Sequence, residues 1–214
     1  MTLTLSEVQF NLTQVDFTTL PKPRKNKGVR GQLLELALGI PNSSKLTDMV
    51  DGELKSFTKG ESIAVTQLKH TLPELIDDES YKTFPETKVG IKLKNTLFVA
   101  FDRENNFIGT TTINENSNPE IYAMLEEDFE YIAEEVQLAY LDDKELTTIT
   151  GLNGLLQIRT KDSKPYHPLT YKGVTLKNKG MAFYLTGKFA KSAVGGSEDQ
   201  NGPGIIQSAR RRLV

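Results

Sequence analysis

The chain has no cysteine, only two histidines, and a net charge of only -2 over 214 residues. Without cysteine there is no disulfide, no catalytic thiol and no thiolate metal site. His70 and His167 are too few for a His-rich zinc centre. No apolar run approaches the ~18 residues that span a bilayer. The opening MTLTLSEVQF lacks the basic-then-apolar order of a secretory signal. The expectation is a soluble, cytoplasmic protein with no membrane partner. The length fits one domain, two at most. With 37% hydrophobic and 25% charged residues the chain has enough apolar mass for a packed core.

The near-zero net charge argues against a nucleic-acid partner only while it is read as a total. The window from Thr111 to Thr150 holds 11 acids and a single base, Lys144, so the 25 bases and 17 acids elsewhere carry about +8. The bases also cluster, in KPRKNKGVR from Lys22 to Arg30, in KVGIKLK from Lys88 to Lys94, between Arg159 and Lys191, and in Arg210, Arg211 and Arg212. Charge runs of this kind are either plain solvated faces or a polyanion-binding surface with an acidic helix on its far side.

Periodicity gives the elements. Residues 1–26 are polar, carry Pro21 and Pro23, and read as an N-terminal lead-in. Arg30 to Leu38 reads as a helix, with Gly39 placed as its C-cap and Pro41 forbidding continuation. Gly52–Phe57, Ser62–Leu68, Thr96–Asp102, Phe107–Ile113, Leu155–Thr160 and Met181–Leu185 read as strands, the third and fourth forming a hairpin. Leu125, Phe129, Ile132, Val136 and Tyr140 recur at helical spacing through the acidic window, which predicts a surface helix from Tyr122 to Leu141. Pro165, His167 and Pro168 mark a loop, and GGSEDQNGPG opens a flexible tail over 195–214. Helices and strands mix without strict alternation, so the expected class is α/β (α+β), a central mixed sheet flanked by helices.

Chemistry concentrates in Asp48-Met-Val-Asp51-Gly-Glu53-Leu54-Lys55. On a strand Glu53 and Lys55 point to one face, and Asp48, ahead of the turn, can come round beside Glu53. Two carboxylates at one point bind a hard cation such as Mg²⁺ through oxygen, and the Leu54 carbonyl is a candidate third ligand. Lys55 would then orient an attacking water beside a phosphate whose oxygen the metal polarises. An Asp, a Glu and a Lys within eight residues are also ordinary in a charged chain. Glu35, mid-helix in GQLLELALG, either lies solvated at the edge of the apolar stripe or reaches Lys55 or a metal-bound water.

The order Lys27-Gly-Val-Arg-Gly-Gln-Leu-Leu-Glu35, Ser44-Lys-Leu-Thr-Asp48, Glu53-Leu-Lys55 resembles the MutH mismatch-repair endonuclease and the Sau-type restriction endonucleases. Lys92-Leu-Lys94, Leu125-Glu-Glu-Asp-Phe129, Leu156-Gln-Ile-Arg-Thr-Lys161 and Phe183-Tyr-Leu185 with Lys188-Phe189 are similar to further blocks of that family in the same order. The resemblance spans residues 27–192 and implies a PD-(D/E)xK restriction-endonuclease-like fold, with the nuclease domain over 27–194. It implies Asp48 and Glu53 as metal ligands, Lys55 as the catalytic lysine, Glu35 as the fourth active-site residue, and Mg²⁺ as cofactor. The spacing between the first Asp and the Glu is shorter here than in the family, which leaves Asp51 as the alternative to Asp48. Asp48 is favoured because SK-x-x-D-M aligns, while Asp51, next to Gly52, suits the turn.

The same resemblance implies duplex DNA as partner and GATC or a related palindrome as site. It puts Arg159 and Lys161 in the groove, where such side chains donate to guanine. Tyr184 falls at the central adenine, and Lys92 at the DNA backbone or active site. Read without it, Arg159 and Lys161 are outward residues on a strand and Tyr184 a core tyrosine with its hydroxyl satisfied. Three functions follow as expectations: a type II restriction endonuclease, a mismatch-repair nickase acting on hemimethylated GATC, or a catalytically dead DNA-binding module. Each active site cuts one strand, so double-strand cleavage at a palindrome calls for a transient homodimer or sequential nicks.

Overall fold

A computed structural model describes residues 3–21, 27–77, 79–161, 169–171, 174–176 and 180–192. The basic residues 22–26, the loop around His167 and the tail with Arg210–Arg212 lie outside the described residues. The described chain divides into two compact units. The first takes its residues from Met1–Glu61, Lys92–Ser117 and Ala190–Val214, the second from Ser62–Ile91 and Asn118–Phe189.

The first unit begins with helix α1 (Leu5–Leu12), where the polar composition suggests only a lead-in. Thr4 and Glu7 explain the difference. The Thr4 N–H donates to Glu7 Oε2 at 2.7 Å, and the Glu7 N–H donates to Thr4 Oγ1 at 3.3 Å. This reciprocal cap satisfies two end donors of a helix too short to stand alone. Leu5 and Val8 complete it by burying against Leu34, Leu38, Ile40, Met49, Leu54, Leu97, Val99 and Phe101. Helix α2 (Lys27–Ala37) follows, and its continuation stops at Gly39, whose φ of +78° a side chain rarely adopts. Strand β1 (Glu53–Thr58) runs parallel to β3 (Asn95–Phe101), and β4 (Phe107–Asn114) closes the mixed sheet as the antiparallel hairpin partner of β3. Arg30 of α2 is buried, with its guanidinium 4.7 Å from the Phe101 ring and Nη1 donating to Asn105 Oδ1 at 3.0 Å and Thr58 Oγ1 at 3.2 Å. It staples α2 to the sheet.

The second unit carries an antiparallel sheet in the order β2 (Ile63–Gln67), β9 (Met181–Leu185), β6 (Leu156–Thr160), β5 (Ile149–Thr150). Helix α3 is Leu72–Ile76, and β7 (Leu169–Tyr171) pairs with β8 (Val174–Leu176); helix α4 (Lys88–Leu93) begins in this unit and ends in the first, to which Lys92 and Leu93 belong. Helix α5 (Pro119–Leu141) is the acidic helix, and its apolar face meets the sheet through Phe129 on Phe183, rings 5.7 Å apart. Helix α6 is Gly187–Ser192.

The class is therefore mixed α/β with helices on β-sheet, as expected, but in place of one central sheet the described strands form a three-stranded mixed sheet, a four-stranded antiparallel sheet and the separate β7–β8 pair. The pattern of apolar residues identifies strands without naming their partners. The β3–β4, β5–β6 and β7–β8 pairs join strands that follow one another closely in the chain, whereas β1–β3 and β2–β9 join strands far apart in sequence. Among the described residues no helix is long and apolar enough to cross a membrane.

Candidate active site

The site is built where the chain turns into β1. Gly52 is required there, since a Cβ at that position would lie 2.6 Å from the Asn95 carbonyl oxygen. The Met49 N–H donates to the Gly52 carbonyl at 2.9 Å and folds the Asp48–Gly52 segment back on itself. That reversal delivers Asp48 to Glu53. The Asp48 N–H donates to Glu53 Oε2 at 3.2 Å, and the Leu54 N–H donates to Asp48 Oδ2 at 3.1 Å. Asp51 serves elsewhere: its Oδ1 accepts the Leu5 N–H at 2.7 Å at the start of α1, and its carbonyl accepts Asn95 Nδ2 at 2.7 Å. The geometry thus pairs Asp48, and not Asp51, with Glu53.

Glu53 is 1% exposed and accepts two ammonium groups on one oxygen. The Lys55 Nζ donates to Oε1 from two residues along β1, and the Lys92 Nζ donates to the same Oε1 at 2.7 Å from the last turn of α4. Leu54, between them, points its side chain into the core. Glu35 projects from α2 on the side of Gly31 and Ser56, half-buried and within electrostatic reach of Asp48, Lys55 and Glu53. Five of the expected residues, Glu35, Asp48, Glu53, Lys55 and Lys92, therefore converge in the first unit.

Their charges are set by this company. Burial raises the Asp48 carboxyl above its ordinary value, and the Glu53 carboxylate adds to the rise. Glu35 is raised by burial first and Asp48 second. Burial works on Glu53 in the same direction, but Lys55 and Lys92 outweigh it and hold its carboxyl below the usual range. A carboxyl raised by burial and by an ionised neighbour, as Asp48 is beside Glu53, belongs to an oxygen-donor cluster whose repulsion a hard cation would relieve. Among the described residues no group of three or more His, Asp or Glu side chains forms a metal cage. The Asp48–Glu53 pair could hold a cation only in an open site, in which one or two carboxylates are completed by water and substrate phosphate.

The second unit holds Arg159, Lys161 and Tyr184. The guanidinium of Arg159 on β6 lies 4.3 Å from the ring centroid of Tyr184 on the neighbouring β9. Its Nε is buried with no hydrogen-bond partner among the described residues. Tyr184 is nearly covered, and Lys161 is exposed just past the end of β6. Gln157 lies directly opposite Tyr184 and on the face of Arg159, a placement only the ladder register reveals.

Asp128 is a further residue whose role emerges from the fold. Although it belongs to the acidic window, it is fully buried, and its carboxylate accepts the N–H groups of Asn153 at 2.5 Å, Leu155 at 2.7 Å and Leu156 at 2.8 Å. It thereby fixes the loop that launches β6 and Arg159. The signal was present in sequence: Asp128 falls on the helical stripe Leu125, Phe129, Ile132. No protein-family model and no curated protein matches the chain.

Proposed function

We propose that the protein is a Mg²⁺-dependent, sequence-specific DNA endonuclease of the PD-(D/E)xK type, a type II restriction enzyme at GATC or a related palindrome. The observation that carries this reading is the convergence of Glu35, Asp48, Glu53, Lys55 and Lys92 at the N-terminal end of β1. Asp48 and Glu53 would hold the cation, which supplies charge to the scissile phosphate and acidifies a bound water. Lys55, fixed on Glu53, orients the nucleophilic water and offsets the charge that builds on the phosphate. Glu35, kept in reach of Lys55 with a raised pKa, accepts the proton that the water loses. The face carrying Gln157, Arg159 and Tyr184 offers a guanidinium and an amide to base edges. On a palindrome two copies of the chain would each cut one strand.

The test is to incubate purified protein and Mg²⁺ with unmethylated and adenine-methylated plasmid. Discrete double-strand fragments without a second protein support the restriction reading, and slow nicking alone reassigns the enzyme to repair. Tight binding without cleavage in Mg²⁺ or Mn²⁺ sinks both nuclease readings. Lys55→Ala should abolish cleavage and leave DNA binding intact; wild-type cleavage by that variant rejects the site.

A further inference from the structure

An ionised carboxylate offers about four lone-pair positions. Glu53 has three of them filled: both on Oε1, by Lys55 and Lys92, and one on Oε2, by the Asp48 N–H. Asp48 has Oδ2 engaged by the Leu54 N–H. The two charges of the Asp48–Glu53 pair are thus matched in number by the Lys55 and Lys92 ammonium groups, with Glu35 the third carboxylate in reach. Oε1 of Glu53 becomes available to a cation only when one lysine leaves it.

The two lysines are not equivalent. Lys55 is two residues along the same strand and on the same face as Glu53, so the backbone itself holds its stem beside the carboxylate. Lys92 arrives from another element, 39 residues away in sequence, with its side chain partly exposed. Its long stem can swing while its backbone stays anchored, because the Lys92 carbonyl accepts Thr96 Oγ1 at 2.8 Å.

We infer that Lys92 is an internal counter-ion that occupies the candidate Mg²⁺ site in the free protein and is drawn off by a DNA phosphate, coupling metal loading to DNA binding. This rests on the nuclease reading above and deepens it. Lys92 exchanges one anionic partner, the Glu53 carboxylate, for another, the phosphodiester. The exchange uncovers the carboxylate where the cleavable strand has just arrived. Metal binding without DNA is thus opposed by Lys92, and by thermodynamic reciprocity DNA binding is helped by the metal.

The experiment is a Mg²⁺ titration followed by thermal shift and calorimetry, on the full chain, with and without a short duplex containing GATC. Wild-type and Lys92→Met are compared, with Lys92→Arg as the charge-keeping control. Lys92→Met should respond to Mg²⁺ alone at about tenfold lower concentration than wild-type, the factor that ~1.4 kcal/mol of removed competition produces. The duplex should tighten Mg²⁺ binding in wild-type and Lys92→Arg and do so much less in Lys92→Met. A folded Lys92→Met whose Mg²⁺ midpoint equals or exceeds that of wild-type overturns the inference. If Lys92→Met fails to fold, Lys92→Gln takes its place under the same criterion. A coupling failure alongside Lys55-dependent cleavage refutes only the counter-ion role, whereas absence of Mg²⁺ response in every protein refutes the nuclease reading as well.

Discussion

Asp128→Ala is the substitution whose cost can be worked most directly from the geometry. The carboxylate is fully buried and accepts three backbone N–H groups across a loop, those of Asn153, Leu155 and Leu156. Alanine leaves all three donors without this acceptor. The Leu155 and Leu156 donors are buried, while that of Asn153 lies close enough to the surface for water to replace the lost bond. A buried donor left unsatisfied costs about 1–3 kcal/mol, so the two together cost roughly 2–6 kcal/mol. Against a total stability of about 5–15 kcal/mol this is a large fraction. Melting should fall by about 2–4 °C per kcal/mol for a chain of this length, or on the order of 5–20 °C. Asp128→Asn keeps one acceptor oxygen but turns amide hydrogens toward the N–H groups, and should cost nearly as much. The assay is urea or thermal unfolding followed by circular dichroism, with Gly151→Ala as a second probe. A Cβ on Gly151 would lie 2.3 Å from Asp128 Cβ, so the same junction should break from the other side. An Asp128→Ala protein that unfolds within ~1 kcal/mol of wild-type would refute the claim that this carboxylate holds the loop.

Burial and Glu53 raise the Asp48 pKa, so the folded state takes up a proton at Asp48 before the unfolded state does. The penalty for keeping Asp48 ionised is full above its raised folded pKa and is gone below its unfolded value. Asp48→Asn should therefore raise the melting temperature of the Mg²⁺-free protein more at pH 8 than at pH 4, and an equal effect at both pH values would refute this account. Arg159→Ala should cost about 1–3 kcal/mol in specific DNA binding if the guanidinium reads a guanine, measured as the ratio of cognate to noncognate affinity; an unchanged ratio rejects the role. Gly39→Ala should destabilise the protein by ~1 kcal/mol, because a φ of +78° is strained for a residue with a Cβ. Denaturant unfolding measures it, and no loss would mean that the α2 terminus relaxes.

Much of this was legible in the residues. Helical and alternating periodicity placed α2, α5 and the strands β1, β3, β4, β6 and β9 close to their observed bounds, because one-sided burial imprints a local period on the chain. Gly39 was legible for the same local reason, whereas the need for glycine at 52 comes from the approach of Asn95, distant in sequence. The N-terminal segment is more than a lead-in, because Thr4 and Glu7 cap its helix and Leu5 and Val8, with Leu3, Leu12, Val15, Phe17 and Leu20 around them, pack it on the core. The type of each candidate site residue was also legible, as was the alternative between Asp48 and Asp51.

What the sequence determined by itself was therefore the inventory: the elements, the acidic helix that hides a basic remainder, and a short run of acids with a lysine at strand spacing. Tertiary structure decided the company each residue keeps. It chose Asp48 by folding the Asp48–Gly52 reversal onto Glu53 and giving Asp51 to the start of α1. It brought Lys92 onto Glu53 across 39 residues, stacked Arg159 on Tyr184, and turned Asp128 inward while Glu127 and Glu130 face water. It also divided the described strands among three separate sheets. Periodicity is a local property fixed by which face of an element is buried, whereas strand pairing and side-chain partnership depend on chain distant in sequence, and no local pattern encodes them.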